Sequence, residues 1–96
     1  MPFVQIMEFT TSRIDEIEVL DEEWLEATKG RRTMRRQLLC ADRNRPNTYL
    51  VIVEFDSYEQ AMENSQLPET HDIAGKMAAL CDEPPRFIDL DVRTTH

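Results

Sequence analysis

The chain has 96 residues, enough for one domain spanning 1–96 and not for two. Apolar residues make up 41 % and charged residues 31 %, which excludes a disordered chain. Nineteen acids against eleven Lys and Arg leave a formal charge of −8, which argues against nucleic acid as main partner and against a place on an anionic membrane surface.

The charge is banded: −7 from Met1 to Thr28, +6 from Lys29 to Thr48, and −7 from Tyr49 onward. No apolar run approaches the roughly 18 residues of a membrane span. The opening Met-Pro-Phe-Val has no charged leader before a long apolar stretch, so no signal peptide is expected. Cys40 and Cys81 stand far apart, without a CxxC or Cys/His cluster. They predict two reduced thiols, a cytoplasmic setting and no metal site.

Phe3 to Thr10 alternates as a strand, with apolar residues in both sets, so cover on both faces is expected. Thr11 or Ser12 then opens a helix whose first turn holds Asp15 and Glu16, where the macrodipole favours acids. Ile14, Ile17, Leu20 and Trp24 keep helical spacing, and Gly30 is a left-handed stop. Thr33 to Asp42 and Tyr49 to Asp56 read as a hairpin around Arg43-Asn44-Arg45-Pro46-Asn47. The second of these strands, Tyr49-Leu-Val-Ile-Val-Glu-Phe, is apolar on both faces and therefore predicted to be buried on both.

Asp56 or Ser57 caps a second helix, with Ser57 and Gln60 at capping-box spacing. Pro68 forces a break or a fresh first turn. Helical spacing resumes through Ile73, Ala74, Met77, Ala78, Leu80 and Cys81 until Pro84-Pro85. Phe87 to Arg93 is the last strand, Ile88, Leu90 and Val92 on one face and Asp89 and Asp91 on the other.

The order β-α-β-β-α-β predicts an α+β, ferredoxin-like domain, with a four-stranded antiparallel sheet and both helices on one face. The other face is then bare yet apolar. A second copy packed sheet to sheet is the simplest cover, so a homodimer is expected.

The layout resembles the dimeric α/β-barrel superfamily, and within it the small antibiotic-biosynthesis-monooxygenase-like domains. The resemblance rests on Phe3-Val-Gln-Ile-Met-Glu-Phe, on Tyr49-Leu-Val-Ile-Val-Glu-Phe-Asp-Ser-Tyr-Glu-Gln-Ala-Met, on the segment from Asn64 to His71 and on Phe87-Ile-Asp-Leu-Asp-Val. It implies a small-molecule monooxygenase-like enzyme acting on an aromatic or polyketide-like substrate without a bound metal. The alternative is a non-catalytic ligand-binding or stress-associated dimeric module, because one fold serves many functions.

His71 is the leading catalytic candidate, since a helical imidazole suits proton transfer near neutral pH. The resemblance places it where haem-degrading members carry their iron ligand. Met62 and Ala61 stand where those members have Trp, and Met7 where they have Asn. The expected cofactor is therefore none, with haem the only group the resemblance brings into view. Tyr49 is the second catalytic candidate, as an aromatic with a polar tip. Met7, Trp24 and Met62 are candidate ligand-binding residues, and Arg36 a candidate partner for a ligand carboxylate. Against that last reading, Arg31, Arg32, Arg35 and Arg36 have acids to pair with on the preceding helix or on a partner subunit. No Gly-rich phosphate loop and no hydrolase or zinc-protease motif is present.

Overall fold

The protein is described by a computed structural model covering all 96 residues. Its elements are β1 (Phe3–Thr10), α1 (Ile14–Ala27), β2 (Arg36–Ala41), β3 (Thr48–Phe55), α2 (Tyr58–Ser65), α3 (Pro68–Leu80) and β4 (Arg86–Asp91). The strands form one antiparallel sheet in the order β2-β3-β1-β4. This is the predicted ferredoxin-like architecture, with the second helical stretch divided in two at Pro68. Pro68 lies at the start of α3, where a missing N–H costs no hydrogen bond.

Register assigns the two sheet faces. Phe3, Gln5, Met7 and Phe9 of β1 share the helix-covered face with Tyr49, Val51, Val53 and Phe55 of β3. Phe3 and Phe55 are buried there against Ala61 of α2, with Met34, Val53 and Met62 packed around them. Ile17 and Trp24 of α1 and Phe9 of β1 are also buried.

Three local predictions are corrected. Neither Thr11 nor Ser12 caps α1, which has Arg13 at its cap position and no side-chain cap bond. Thr11 is fully buried instead. Its hydroxyl donates to the Leu80 carbonyl at 2.7 Å and accepts from the Arg13 N–H at 2.9 Å, tying the β1–α1 turn to the end of α3. β2 starts at Arg36 and not at Thr33, because the Thr33 N–H donates to Asn64 Oδ1 and its hydroxyl to the Gln60 carbonyl. Those bonds attach Thr33 to α2 rather than to the sheet. β4 closes at Asp91, two residues short of the predicted Arg93.

The Gly30, hairpin-turn and Ser57 signals hold. Gly30 adopts φ 83° after α1, and Asn47 φ 59° in the hairpin turn. Of the expected pairings, with acids of the preceding helix or of a partner subunit, the first does not form: Arg31, Arg35 and Arg36 pair with Glu69, Asp56 and Glu54. Arg31 and Arg32 donate to the Ala27 and Leu25 carbonyls, at 2.7 and 2.6 Å, satisfying orphan acceptors at the α1 C-terminus. Ser57 caps α2 by accepting from the Gln60 N–H at 3.2 Å. Ser57→Ala is expected to cost about 0.5–2 kcal/mol, read as a lower midpoint in thermal denaturation.

The second face of the sheet carries Val4, Ile6, Leu38, Cys40, Leu50, Ile52, Ile88 and Leu90, and no helix covers it. Leu38, Ile52, Ile6 and Ile88 stand side by side in register, an apolar row across all four strands. Charge is confined to the flanking rows. Arg36 Nε lies 2.7 Å from Glu54 Oε2, and Arg45 reaches Glu8 at 2.9 Å.

Candidate functional site

Between the sheet and the helices lies a half-open cleft of about 180 Å³. Met7, Leu39, Val51, Val53 and Phe87 form its floor; Ile17, Leu20 and Trp24 of α1 and Ile73, Ala74 and Met77 of α3 form its walls. The cleft exists because α1 and α3 pack against each other above the sheet but do not fill the space beneath them. Phe87, 58 % exposed on the edge strand β4, stands at the rim. A dry apolar cavity of roughly 150 Å³ accepts benzene, so this volume suits a ligand of one or two rings.

Few polar groups interrupt the lining, and each is held in place. Trp24 Nε1 donates to the Thr70 hydroxyl at 2.9 Å, which fixes the indole across the α1–α3 junction. The Arg32 guanidinium lies 6.0 Å from the centre of the same ring, a cation–π distance. Gln37 Nε2 donates to both carboxylate oxygens of Asp21, at 2.8 and 2.9 Å. Asn64, at the end of α2, is only 7 % exposed. Its Oδ1 accepts from the Thr33 N–H at 3.2 Å, which sets the orientation of the amide. Its Nδ2 donates to no acceptor in the protein, yet it is not a sealed atom, and the residue lines the cleft. A nearly buried amide that lines the cleft thus keeps an N–H donor unused within the protein.

The sequence-chosen candidates divide. Met7 and Trp24 line the cleft. His71 does not: it lies one residue beyond Thr70 on α3, and that rotation along the helix turns it outward, exposed and without a side-chain hydrogen bond. Tyr49 shares the helix-covered face but lies further along β3, stacked on Phe9 with ring centres 5.8 Å apart, and does not line the cleft. Met62 packs against the Phe3–Phe55–Ala61 cluster instead. Arg36 belongs to the opposite sheet face, paired with Glu54, so it is not placed to hold a ligand in the cleft.

Five polar lining residues were not singled out from the sequence: Gln5, Asp21, Gln37, Asn64 and Thr70. Two had a legible signal. Asp21 falls four residues after Ile17 and three before Trp24, so helical spacing sets an acid on the buried stripe. Gln37 alternates with Leu39 on a strand and so shares its apolar face. Nothing local marks Asn64 or Thr70.

No protein-family description matches the chain, and no curated protein matches it. Solved structures do. A conserved protein from Methanosarcina mazei Go1 superposes with a TM-score of 0.85 at 8 % identity, covering 97 % of this chain and 94 % of that one. A variant of SnoaB, a cofactor-independent oxygenase from Streptomyces nogalater, gives 0.82 at 17 % identity, with 98 % and 95 % covered. An antibiotic biosynthesis monooxygenase gives 0.77 at 17 %, with 98 % and 100 % covered. The chain therefore has the fold of antibiotic-biosynthesis-monooxygenase-like domains, as the resemblance in the sequence implied. At these identities the likeness speaks to fold.

Proposed function

We propose that the chain binds a small neutral aromatic alcohol in the cleft and promotes its oxygenation by dioxygen. The observation that carries this reading is the Nδ2 donor of Asn64, unused within the protein, on a residue that lines a mostly apolar cleft. A phenol reacts with dioxygen faster as its phenolate. A fixed N–H beside the oxygen stabilises the charge that develops as the O–H bond breaks. For 1-naphthol the balanced reaction is one dioxygen consumed, one oxygen atom placed at the ring carbon para to the hydroxyl, and the other released as water with 1,4-naphthoquinone. The fold shared with a protein described as a cofactor-independent oxygenase supports the same reading. The reading calls for no metal or cofactor.

The test is dioxygen uptake and quinone formation by the purified protein with 1-naphthol, beside Asn64→Ala. Removing one such donor is expected to lower kcat by roughly 100-fold or more, with the fold intact by circular dichroism. Unchanged turnover in the variant, or no uptake by the parent protein, overturns the proposal. One observation favours a second reading, a ligand-binding module without chemistry: His71, Tyr49 and Arg36 all lie outside the cleft. Saturable quenching of the Trp24 emission by 1-naphthol without dioxygen uptake assigns that reading.

The proposed working form is a homodimer joined through the uncovered sheet face. A second copy supplies a matching apolar row, as an isologous interface requires. The unbonded Cys40 and Cys81 fit a reducing, cytoplasmic setting.

A further inference from the structure

Asp21 is the only ionisable side chain lining the cleft. It sits on the buried stripe of α1, half-buried, beside the apolar Ile17, Leu20 and Trp24. Gln37 Nε2 bridges its two oxygens at 2.8 and 2.9 Å and so fixes the carboxylate plane. A carboxylate offers about four acceptor positions, and this one has no other hydrogen-bond donor in the protein. No Lys, Arg or His lines the cleft to balance its charge.

From this arrangement we propose that Asp21 is the residue that selects and deprotonates the ligand: it accepts a ligand hydroxyl and repels any ligand that brings a carboxylate of its own. The deprotonation half of this inference rests on the oxygenation reading above; the charge selection does not. In the chemical step the ligand O–H bond breaks and its proton passes to an Asp21 oxygen. The electron pair stays on the ligand oxygen. Dioxygen is the oxidant: one of its atoms bonds to the ring carbon para to the hydroxyl, the C–H bond at that carbon breaks, and this hydrogen and the proton from Asp21 leave with the other oxygen atom as water. Gln37 is a positioning residue, since it acts only through Asp21.

Two ligands matched in their rings separate the claims: 1-naphthol, and 1-hydroxy-2-naphthoate, which adds one carboxylate. The parent protein is expected to bind the naphthoate about tenfold or more weakly, because like charges set side by side with no cation between them repel. In Asp21→Asn, which keeps the shape of the side chain, that gap closes. Turnover of 1-naphthol falls in kcat while its binding persists, and Asp21→Glu restores part of kcat. Unchanged discrimination in Asp21→Asn overturns the proposal, as does failure of both compounds to bind the folded parent protein. Discrimination that depends on Asp21 in a protein showing no dioxygen uptake leaves the charge selection standing and removes the oxygenation reading with its proton step. Full turnover in Asp21→Asn removes the proton step alone.

Discussion

Trp24→Ala is expected to lower the stability of the fold by about 3–5 kcal/mol, the usual cost of emptying a buried Trp position. The indole is 6 % exposed, packed where α1 meets α3 above the sheet. Its removal enlarges an existing cleft, so the neighbouring side chains have little reason to close over the gap. It also leaves the Thr70 hydroxyl without its 2.9 Å donor and the Arg32 guanidinium without its aromatic face. In a domain whose total stability is of the order of 5–15 kcal/mol, that is a large share. Thermal denaturation reads it as a drop of about 4–8 °C for each kcal/mol. Trp24→Phe separates packing from hydrogen bonding. It keeps most of the apolar volume, loses the Nε1 donor, and is expected to cost only about 1–2 kcal/mol. Equal midpoints for Trp24→Ala and the parent protein would show that the α1–α3 junction does not depend on this ring.

The fold was legible because its signals are local and repeat. Alternation in β1, the two-sided apolar run of β3, the Ser57 cap and the Pro68 break each fix an element or its end without help from distant residues. The bare apolar face follows from the same alternation, since Ile6, Ile52 and Ile88 fall on one side of three strands. The candidate site was legible only where periodicity could speak: Met7 by strand alternation and Trp24 by helical spacing. His71 lies outside the cleft for a geometric reason. Its side depends on where α3 restarts after Pro68, and that first turn points Thr70 at Trp24 and leaves His71 outside. Arg36 lies on the other sheet face, and the sequence does not say which face an Arg at a strand's first residue will take. Asn64 was out of reach altogether. Its role comes from a bond to Thr33, 31 positions away, and no local pattern encodes that meeting.

Ile52→Glu is expected to convert a homodimer into a folded monomer. Ile52 stands in a central strand, within the apolar row formed by Leu38, Ile52, Ile6 and Ile88. In one chain alone this face is open, so a Glu there keeps its hydration and the monomer folds. In a dimer joined through the face, a two-fold axis brings both Glu residues into the apolar contact. An unpaired carboxylate taken from water then costs several kcal/mol on each side. Light scattering after gel filtration is expected to give twice the chain mass for the parent protein and one chain mass for the variant, with unchanged far-ultraviolet circular dichroism. Thiol labelling gives an independent reading. Cys40 lies on this face, so a dimer joined there shields it and Ile52→Glu is expected to expose it to a thiol reagent. Cys81 serves as the internal control: burial, and next to it the charge of Asp82, push its thiol pKa up, so it holds less thiolate at neutral pH and reacts slowly in both forms. A parent protein that is monomeric with Cys40 freely labelled refutes the dimer. A parent dimer that survives Ile52→Glu moves the interface off the sheet face.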